Sequence, residues 1–402
     1  MDQEYSVPAG EPLRILILSW RDRDHPEGGG SELYVESMAA ALARRGHQVT
    51  MLSASYPGAR REEICDGVRK LRRGGRLTVY LWAALLHLRG SIRRHDVVVD
   101  VQNAIPFFTP LYCRQAKVVL VHHVHREQWP VCFGPVRARI GWWIESRLAP
   151  WLYRRTRYVT VSRVTRDELV GLGVNPQAIS VVYNGTTIPS APVAGGRTPY
   201  PSVCVLGRLV PHKRVEYALE ALSRLRPDFP ELRLTVVGEG YWHSRLLELA
   251  HDLGVESAVE FTGFVDEATK QAILARSWVL AQPSLKEGWG LVVVEAAVNG
   301  VPTVAFRSAG GLAESVVDGT TGLLTDDLAS FVAAVRSLLV SEPLRTALGQ
   351  AAASRAPAFT WEASAEAFTR IVEGVVADRL ATRRPAGETA GETAGETAQR
   401  LP

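Results

Sequence analysis

Residues 285–304 read LKEGWGLVVVEAAVNGVPTV and contain the most informative pattern of this chain. The segment follows a short apolar strand predicted over Trp278–Gln282, passes through a loop broken by two glycines, and then enters a helix. Glu287 lies in the loop and Glu295 in the first turns of the helix, with seven residues between them. We expect this arrangement to place both carboxylates and a row of unpaired amides at the opening of one binding pocket. Carboxylates accept hydrogen bonds from ribose and sugar hydroxyls, and helix-start amides hold phosphate oxygens. The pattern therefore predicts a site for a sugar nucleotide.

Either glutamate alone has a simpler interpretation. Glu287 alone is typical of a solvated loop acid, and Glu295 of an acid placed favourably near a helix N-terminus. The complete string Glu-Gly-Trp-Gly-Leu-x-x-x-Glu-Ala, however, resembles the Glu-x7-Glu signature of the retaining glycosyltransferases of family 4. This resemblance implies an α/β protein of the GT-B fold, which has two facing Rossmann-like, doubly wound domains and a deep interdomain cleft.

Length and composition agree with a large globular protein. The chain has 402 residues, which predicts two or three domains, and its 46% hydrophobic residues are enough for sizeable cores. A net charge of +4 is too small to indicate a nucleic acid partner. The four cysteines are scattered without a Cys-x-x-Cys pair, so neither a zinc site nor a disulfide framework is indicated, and a reducing cytoplasm fits best. The acidic start is unlike a secretory signal, and no apolar run approaches the roughly 18 to 20 residues that span a bilayer.

The first domain opens with a β-α-β unit. The sequence predicts an apolar strand over Leu13–Ser19, a helix from about residue 32 to residue 45, and a second strand over Gln48–Ser53. The glycines before the helix have the wrong spacing for a dinucleotide fingerprint, and the acid expected after the second strand is missing, which argues against NAD or FAD. In the family that the chain resembles, this loop approaches the donor phosphates or the acceptor, and the residues that match are Gly29, Gly30 and Glu32. A tight turn that needs only glycine torsions is the alternative.

Two later segments mix basic and apolar residues. Arg60–His95 has ten basic and three acidic residues around an apolar run, Leu77–Leu88. Such a segment suits an anionic membrane surface, although a core helix with a solvated basic edge explains the same pattern and is favoured. Gln128–Arg157 carries four tryptophans among six arginines, which is typical of membrane interfaces, of acceptor clefts and of packed interdomain helices. We expect this second segment to face the acceptor.

Histidines follow the strand predicted over Lys117–Val121. The carboxyl ends of strands in a doubly wound sheet are where ligands bind, and a neutral imidazole can bond to a sugar hydroxyl. His122 lies where the family has an active-site histidine that contacts the donor sugar, and His123 is the next choice if the register shifts by one residue. A zinc site that also uses His125 is less favoured, because strand residues alternate faces and the spacing suggests no fourth ligand.

The second domain opens with a strand that ends at Gly207 and is followed by Arg208 and, five positions further on, Lys213. Two cations beside the amides of the next helix can neutralise a diphosphate leaving group, on which negative charge grows during transfer. Either cation alone would mean little, and Arg214 is more typical of a solvated surface. The pattern Gly-Arg-x-x-x-x-Lys, however, matches the donor-phosphate clamp of the family.

The resemblance implies a role for each candidate residue. Glu295 would bind the ribose hydroxyls and Glu287 a hydroxyl of the donor sugar. Arg208 and Lys213 would bind the diphosphate, and His122 would contact the sugar from the opposite wall. The remaining donor-binding candidates are Gly288, Trp289, Gly290, Leu291, Gly29 and Gly30, together with Phe264 and Val265, whose backbone would hold the base.

The expected organisation has six parts. They are a flexible leader (1–12), an acceptor-binding Rossmann-like domain (13–188), a linker (189–201), a nucleotide-sugar-binding Rossmann-like domain (202–356), a helix that crosses back to the first domain (357–381) and a disordered tail (382–402). The tail repeats Gly-Glu-Thr-Ala three times. Because the repeat has no large apolar side chain, it cannot offset the entropy of ordering.

The predicted reaction is the transfer of a hexose-type sugar from a nucleoside diphosphate sugar to a hydroxyl of a glycan, a lipid-linked acceptor or a small natural product, with retained configuration. No nucleophile for a double displacement is evident, and in the family the leaving phosphate is thought to take the acceptor proton. Asp22-Arg23-Asp24 imitates a metal-binding Asp-x-Asp but lies away from the diphosphate clamp, so we expect no metal and no cofactor besides the donor.

The expected location is the cytoplasm, with peripheral contact at the inner face of the membrane as an open alternative. The expected role is polysaccharide or glycoconjugate biosynthesis. A sugar-nucleotide epimerase, a phosphorylase and a non-catalytic partner subunit also stay open, because fold does not fix function.

Overall fold

The computed structural model describes residues 11–92, 94–188 and 196–382. The first ten residues of the expected leader, residues 189–195 of the expected linker and the Gly-Glu-Thr-Ala repeats lie outside the described residues. Within the described residues the chain forms two α/β halves, each built on its own sheet.

The first half contains an eight-stranded sheet. In chain order its strands are β1 (Arg14–Leu18), β2 (Gln48–Ser53), β3 (Glu62–Cys65), β4 (Val68–Arg72), β5 (Val97–Gln102), β6 (Ala116–Val121), β7 (Arg157–Thr160) and β8 (Ile179–Val181). Their spatial order is β3-β4-β2-β1-β5-β6-β7-β8, and every neighbouring pair is parallel except β3 with β4. The central strands β1 and β6 are mostly apolar because both faces of the sheet are covered.

Helices cover this first sheet. They are α1 (Gly30–Arg44), α2 (Val79–Leu88), α3 (Trp129–Cys132), α4 (Pro135–Trp143), α5 (Ala149–Leu152) and α6 (Arg163–Gly171). A π-helical turn, Ile144–Leu148, joins α4 to α5, and 3-10 turns form at Thr109–Leu111 and Pro176–Ala178. Helix α6 begins where the side chain of Ser162 accepts a hydrogen bond from the Thr165 amide, which satisfies one of the open donors at a helix start.

The second half contains a six-stranded, fully parallel sheet. Its strands are β9 (Ser202–Leu206), β10 (Arg233–Val237), β11 (Val259–Gly263), β12 (Val279–Gln282), β13 (Thr303–Phe306) and β14 (Gly322–Thr325), in the order β11-β10-β9-β12-β13-β14. Its helices are α7 (Val215–Leu225), α8 (His243–Asp252), α9 (Glu267–Arg276), α10 (Leu291–Val298), α11 (Leu312–Ser315), α12 (Leu328–Val340) and α13 (Glu342–Arg355), with 3-10 turns at Pro211–Lys213, Glu256–Ala258 and Ala356–Ala358. The strand order reverses between β9 and β12, and such a switch point opens a crevice at the carboxyl ends of the strands.

One further helix, α14 (Trp361–Ala381), leaves the second half and packs on the first. It lies against α1 and β6, and its buried residues Phe368 and Val372 belong to the same core cluster as Val118 of β6. Arg45, at the end of α1, donates hydrogen bonds to the α14 residue Thr369 (2.5 Å) and to a carbonyl one turn earlier. The core of the first half is therefore completed by residues from the C-terminal part of the chain.

The structure departs from the prediction between residues 60 and 95. The apolar helix expected there is present as α2, but the antiparallel strand β3 and its partner β4 precede it, and the sequence pattern did not indicate them. Val79 and Ala83 of α2 are buried, whereas Leu81 and Leu88 are exposed, so the helix is only partly a core helix. Among the described residues, no helix combines the length and the apolar character needed to cross a membrane.

Candidate active site

The centre of the candidate site is an ion pair at the switch point of the second sheet. Glu287 follows β12, and its Oε1 lies 2.5 Å from Lys213 Nζ. The same oxygen accepts hydrogen bonds from Ser284 Oγ (2.7 Å) and Gln282 Nε2 (3.1 Å). Burial alone would raise the pKa of Glu287, but the positive charge and hydrogen bond of Lys213 outweigh it and lower that pKa. Glu287 is therefore ionised at neutral pH.

Both predicted cations leave the end of β9. The strand ends at Gly207, whose φ of 149° favours glycine, and the chain then turns through Pro211–Lys213. Lys213 folds back over that glycine, while Arg208 extends away from it. Arg208 Nη1 donates a hydrogen bond to the backbone carbonyl of Glu27 in the first half, at 3.2 Å. Within residues 11–92, 94–188 and 196–382, no salt bridge involves Arg208, so its guanidinium keeps donors for an anionic ligand.

Glu295 lies in a separate ion pair. It projects from α10 and pairs with Lys270 of α9, whose Nζ lies 2.7 Å from Glu295 Oε1. Lys270 also contacts Glu267 at 2.8 Å. Burial raises the pKa of Glu295, and the charge of Lys270 opposes that rise. The structure thus pairs Lys213 with Glu287, places Arg208 where it interacts electrostatically with Glu287, and joins Glu295 to a second ion pair.

Glycines allow the two halves to approach each other closely. A Cβ atom at Gly288 would lie 2.4 Å from the carbonyl oxygen of His122, and one at Gly30 would lie 2.9 Å from Leu291 Cδ1. Gly29 faces the side chain of Arg208, and its amide donates to Glu32 Oε2 at 2.8 Å. Larger side chains at these glycines would push the halves apart, so the glycine-rich loops on both sides form one narrow cleft.

Gly290 serves a local role in that loop. Its φ of 89° lies in the left-handed region, which other residues rarely adopt, and the next residue begins α10. A Cβ at this position would also lie 2.4 Å from Leu312 Cδ2. Gly290 is thus required for the turn that positions the helix start.

His122 is buried in the wall of this cleft. Its Nε2 has no hydrogen-bond partner among the described residues, and its ring meets the ring of Tyr34 edge-on at 5.5 Å. Burial lowers the pKa of His122 to about 4, so the ring is neutral at physiological pH. The neighbouring histidines already have partners, since His123 contacts Gln128 and His125 contacts Glu145. Because its ring nitrogen has no partner among the described residues, His122 is a better candidate than His123 for contact with the donor sugar.

The structure limits what three other candidates can contribute. Trp289 is only 1% exposed and packs against Tyr183 and Phe359, with ring centroids 4.6 Å and 5.0 Å away, so its side chain is a core element and only its backbone could reach a ligand. The Phe264 ring is exposed, while its amide donates to Glu239 Oε1 at 3.2 Å. Val265 packs partly into the core of the second half.

Some contacts of the cleft were not anticipated from the sequence. Lys286, next to Glu287, is buried and pairs with Glu168 of α6 across the two halves. Glu314 of α11 accepts hydrogen bonds from the Arg163 amide (2.7 Å) and from the Tyr183 hydroxyl (2.5 Å). Neither the spacing of these residues nor their local motifs could reveal such partners, because each pair joins segments more than a hundred residues apart.

The aspartates of the Asp-x-Asp sequence are held by cations of the first half. Arg72 contacts Asp22 at 2.5 Å and Asp24 at 3.0 Å, and Lys70 contacts Asp24 at 3.2 Å. In the part of the chain that the structure describes, no group of three or more His, Cys, Asp or Glu side chains is arranged to hold a metal ion.

Comparison with known proteins identifies the family. The family model described as Glycosyltransferase Family 4 matches residues 28–188, and the model described as Glycosyl transferases group 1 matches residues 193–355. A glycogen synthase of Mycobacterium tuberculosis is 29% identical over 396 residues, covering 89% of this chain and 94% of the relative. A GDP-mannose-dependent alpha-(1-6)-phosphatidylinositol monomannoside mannosyltransferase of Mycolicibacterium smegmatis is 30% identical over 357 residues, covering 81% of this chain and 90% of the relative.

Solved structures show the fold. Sucrose-phosphate synthase from Thermosynechococcus elongatus superimposes with a TM-score of 0.75 at 19% identity, covering 91% of this chain and all of that structure. Anabaena HepE in complex with UDP and glucose gives a TM-score of 0.69 at 18% identity, covering 90% of this chain and all of that structure. These similarities confirm the expected GT-B architecture of two facing parallel α/β domains.

Proposed function

This chain belongs to the family 4 glycosyltransferases, and on that basis we propose that it moves a hexose from a nucleoside diphosphate sugar to an acceptor hydroxyl with retained anomeric configuration. The observation that carries the proposal is the Lys213–Glu287 ion pair at the switch point of the second sheet, with the Arg208 guanidinium close enough to interact electrostatically with Glu287; these three residues are called the cluster below. The cluster combines a cationic clamp with a carboxylate that can accept a hydrogen bond from a sugar hydroxyl.

The cations of this cluster suit the diphosphate. Lys213 Nζ can exchange Glu287 for a phosphate oxygen, and Arg208 has donors that no carboxylate of the described residues occupies. As the bond between the anomeric carbon and the phosphate oxygen breaks, negative charge accumulates on that oxygen, and positioned cations stabilise it most in a site that excludes water. Arg208 also joins the first half through Glu27, so closing the cleft brings the clamp to the acceptor.

The carboxylates suit the hydroxyls of the donor. Glu287, released from Lys213, would accept a hydrogen bond from the donor sugar, and Glu295, paired with Lys270, would accept one from the ribose. His122 lies on the opposite wall with a neutral ring and a free nitrogen, which suits a sugar hydroxyl and not a charged group.

The proposed reaction needs no enzyme nucleophile and no metal. The acceptor oxygen forms its bond to the anomeric carbon on the face from which the phosphate leaves. The acceptor proton passes to the departing phosphate oxygen, and the products are the glycoside and the nucleoside diphosphate. Lys213 and Arg208 supply the positive charge that a divalent cation provides in other transferases.

The names of similar proteins suggest which donors to test first. One relative is GDP-mannose-dependent, and one structural neighbour was solved with UDP and glucose. UDP, GDP and ADP should therefore be compared by thermal unfolding of the purified protein. Binding at 100 times the dissociation constant adds about 2.7 kcal/mol to the free energy of unfolding, enough to raise the midpoint measurably. If none of the three raises the midpoint, the proposed donor class is wrong.

We also propose that one face of the first half rests on an anionic membrane, where a lipid-linked acceptor would be available, with the enzyme on the cytoplasmic side. Large apolar side chains are exposed on this face, namely Leu77, Leu81 and Leu88 around α2, Val136, Ile140 and Trp143 on α4, and Trp151 on α5. Arg76 and Arg89 flank the exposed residues of α2, Arg137 and Arg139 lie among those of α4, and the sequence has no acidic residue from 67 to 95 or from 146 to 166. Apolar side chains that enter the interface and arginines that attract anionic lipids together support peripheral binding.

A further inference from the structure

Glu27, in the loop before α1, lies among three guanidinium groups. Its carbonyl oxygen accepts the hydrogen bond from Arg208, and its carboxylate oxygens lie 4.0 Å from Arg21 Nη1 and 3.6 Å from Arg76 Nη1. Charge-assisted hydrogen bonds to carboxylates are typically about 2.7 to 2.9 Å long, so the carboxylate holds neither arginine tightly. The Glu27 side chain is 46% exposed, which allows it to move aside.

An aromatic ring positions the two arginines that face this carboxylate. Trp20, buried at the end of β1, has the guanidinium carbon of Arg21 at 4.5 Å and that of Arg76 at 5.3 Å from its ring centroid. Both distances are within the range of cation–π attraction, which holds the cations without consuming their N–H donors. Arg76 is 56% exposed, so its donors are accessible from solvent.

Other cations of the same domain are satisfied far more completely. Arg72 contacts Asp22 at 2.5 Å, Glu63 at 2.6 Å and Asp24 at 3.0 Å. Lys70 contacts Glu36 at 2.9 Å. These ion pairs are short and stabilise the fold.

The cluster around Trp20 has a different balance of positive and negative charges. Its three guanidinium groups, from Arg21, Arg76 and Arg208, face two carboxylates. Of these carboxylates only Glu32 is close to its partner, at 2.7 Å from Arg21 Nε. One positive charge is therefore in excess, and the loosely held Glu27 carboxylate occupies the position that an anion from outside could take.

We infer that Trp20, Arg21 and Arg76 form an acceptor subsite for a phosphate or carboxylate group, which displaces the side chain of Glu27. This inference rests on the proposed function and extends it, because it makes the acceptor an anionic molecule. Guanidinium forks match the geometry of both anions. The backbone of Glu27 contacts Arg208, so the subsite adjoins the proposed diphosphate clamp, where an acceptor must lie.

The test uses the full chain saturated with the nucleoside diphosphate that binds best, so that the clamp is already filled. Inorganic phosphate and acetate are then titrated by calorimetry, with chloride at the same ionic strength as the reference. We expect one of the two anions to bind the wild type, Arg76→Gln to weaken that binding at least tenfold, and Glu27→Gln to strengthen it about threefold, since the internal competitor is lost. Arg89→Gln, a change of the exposed arginine that directly follows α2, should leave the affinity unchanged.

The anion that binds identifies the acceptor group as phosphate or carboxylate. Equal affinity of the wild type and Arg76→Gln would overturn the inference, and so would the absence of binding above the chloride reference. Nucleotide binding is measured in the same samples. If the nucleotide binds and the anions do not, only the subsite is wrong, whereas the absence of nucleotide binding contradicts the proposed function itself.

Discussion

Replacing Lys213 by alanine should separate two effects of its ammonium group. Its Nζ lies 2.5 Å from Glu287 Oε1, and the two side chains are only 19% and 14% exposed. The substitution leaves the carboxylate with two neutral donors, Ser284 Oγ at 2.7 Å and Gln282 Nε2 at 3.1 Å. It also removes one positive charge from the proposed diphosphate site.

The two effects have different expected sizes. Removing one partner of a buried ion pair costs about 3 to 5 kcal/mol, and because Glu287 keeps two neutral hydrogen bonds, we expect about 2 to 3 kcal/mol here. Losing a group that stabilises developing charge lowers turnover by about 10² to 10³. Lys213→Ala should therefore destabilise the fold moderately and lower turnover by at least tenfold.

A double variant tells these effects apart. Lys213→Ala/Glu287→Gln has no unpaired charge, so urea unfolding should show most of the lost stability restored. Turnover, measured as release of nucleoside diphosphate from the donor found in the thermal screen, should stay low. Arg214→Ala is the matched control, because Arg214 is the adjacent cation and lies over the ring of Tyr217 instead of over Glu287.

Two results would refute this reasoning. Wild-type turnover in Lys213→Ala would show that the ammonium group does not act on the diphosphate. Recovery of turnover together with stability in the double variant would show that Lys213 serves only to neutralise Glu287.

Four further outcomes follow from the site. Glu295→Ala should lower turnover at least tenfold and raise KM for the donor, and an unchanged KM would contradict ribose binding. Activity should survive EDTA, and a complete loss that manganese restores would contradict the metal-free reaction. Burial lowers the pKa of His122 from 6.5 to about 4, so the folded state favours the neutral ring. The free energy of unfolding should therefore decrease as the pH falls from 6.5 to 4, by about 2 kcal/mol at pH 5. Urea titrations of His122→Phe over the same pH range should no longer show this decrease. Leu81→Ser/Trp143→Ser should co-sediment less with anionic vesicles than the wild type, and equal sedimentation would contradict the membrane face.

Much of the framework was predictable because it follows from hydrophobic pattern. The strand predicted over Gln48–Ser53 forms with those bounds, and the helix predicted near residues 32–45 forms over Gly30–Arg44. The strand β4 was missed for a physical reason. Its inward residues include Lys70 and Arg72, which are buried by pairing with acids from other segments, so the apolar alternation that marks a strand is absent.

The site was predictable only in part for a similar reason. Glu287 and Lys213 belong to recognisable motifs, and the structure joins them. Lys270 belongs to no motif that the sequence offered, and its contact with Glu295 depends on how α9 packs against α10. Ion pairs between distant segments are set by tertiary packing, and local spacing contains no information about them.

The return of α14 to the first half has a consequence for the folding of this protein during its own translation. The N-terminal half emerges from the ribosome long before residue 381 is synthesised. Until α14 is complete, the groove beside α1 and β6 lacks the helix that fills it. Nascent chains must therefore carry an uncovered apolar surface through the translation of some two hundred later residues, and a fragment ending at the linker would keep it permanently. Chaperone capture during translation, and insolubility of that fragment when expressed alone, are the expected signs.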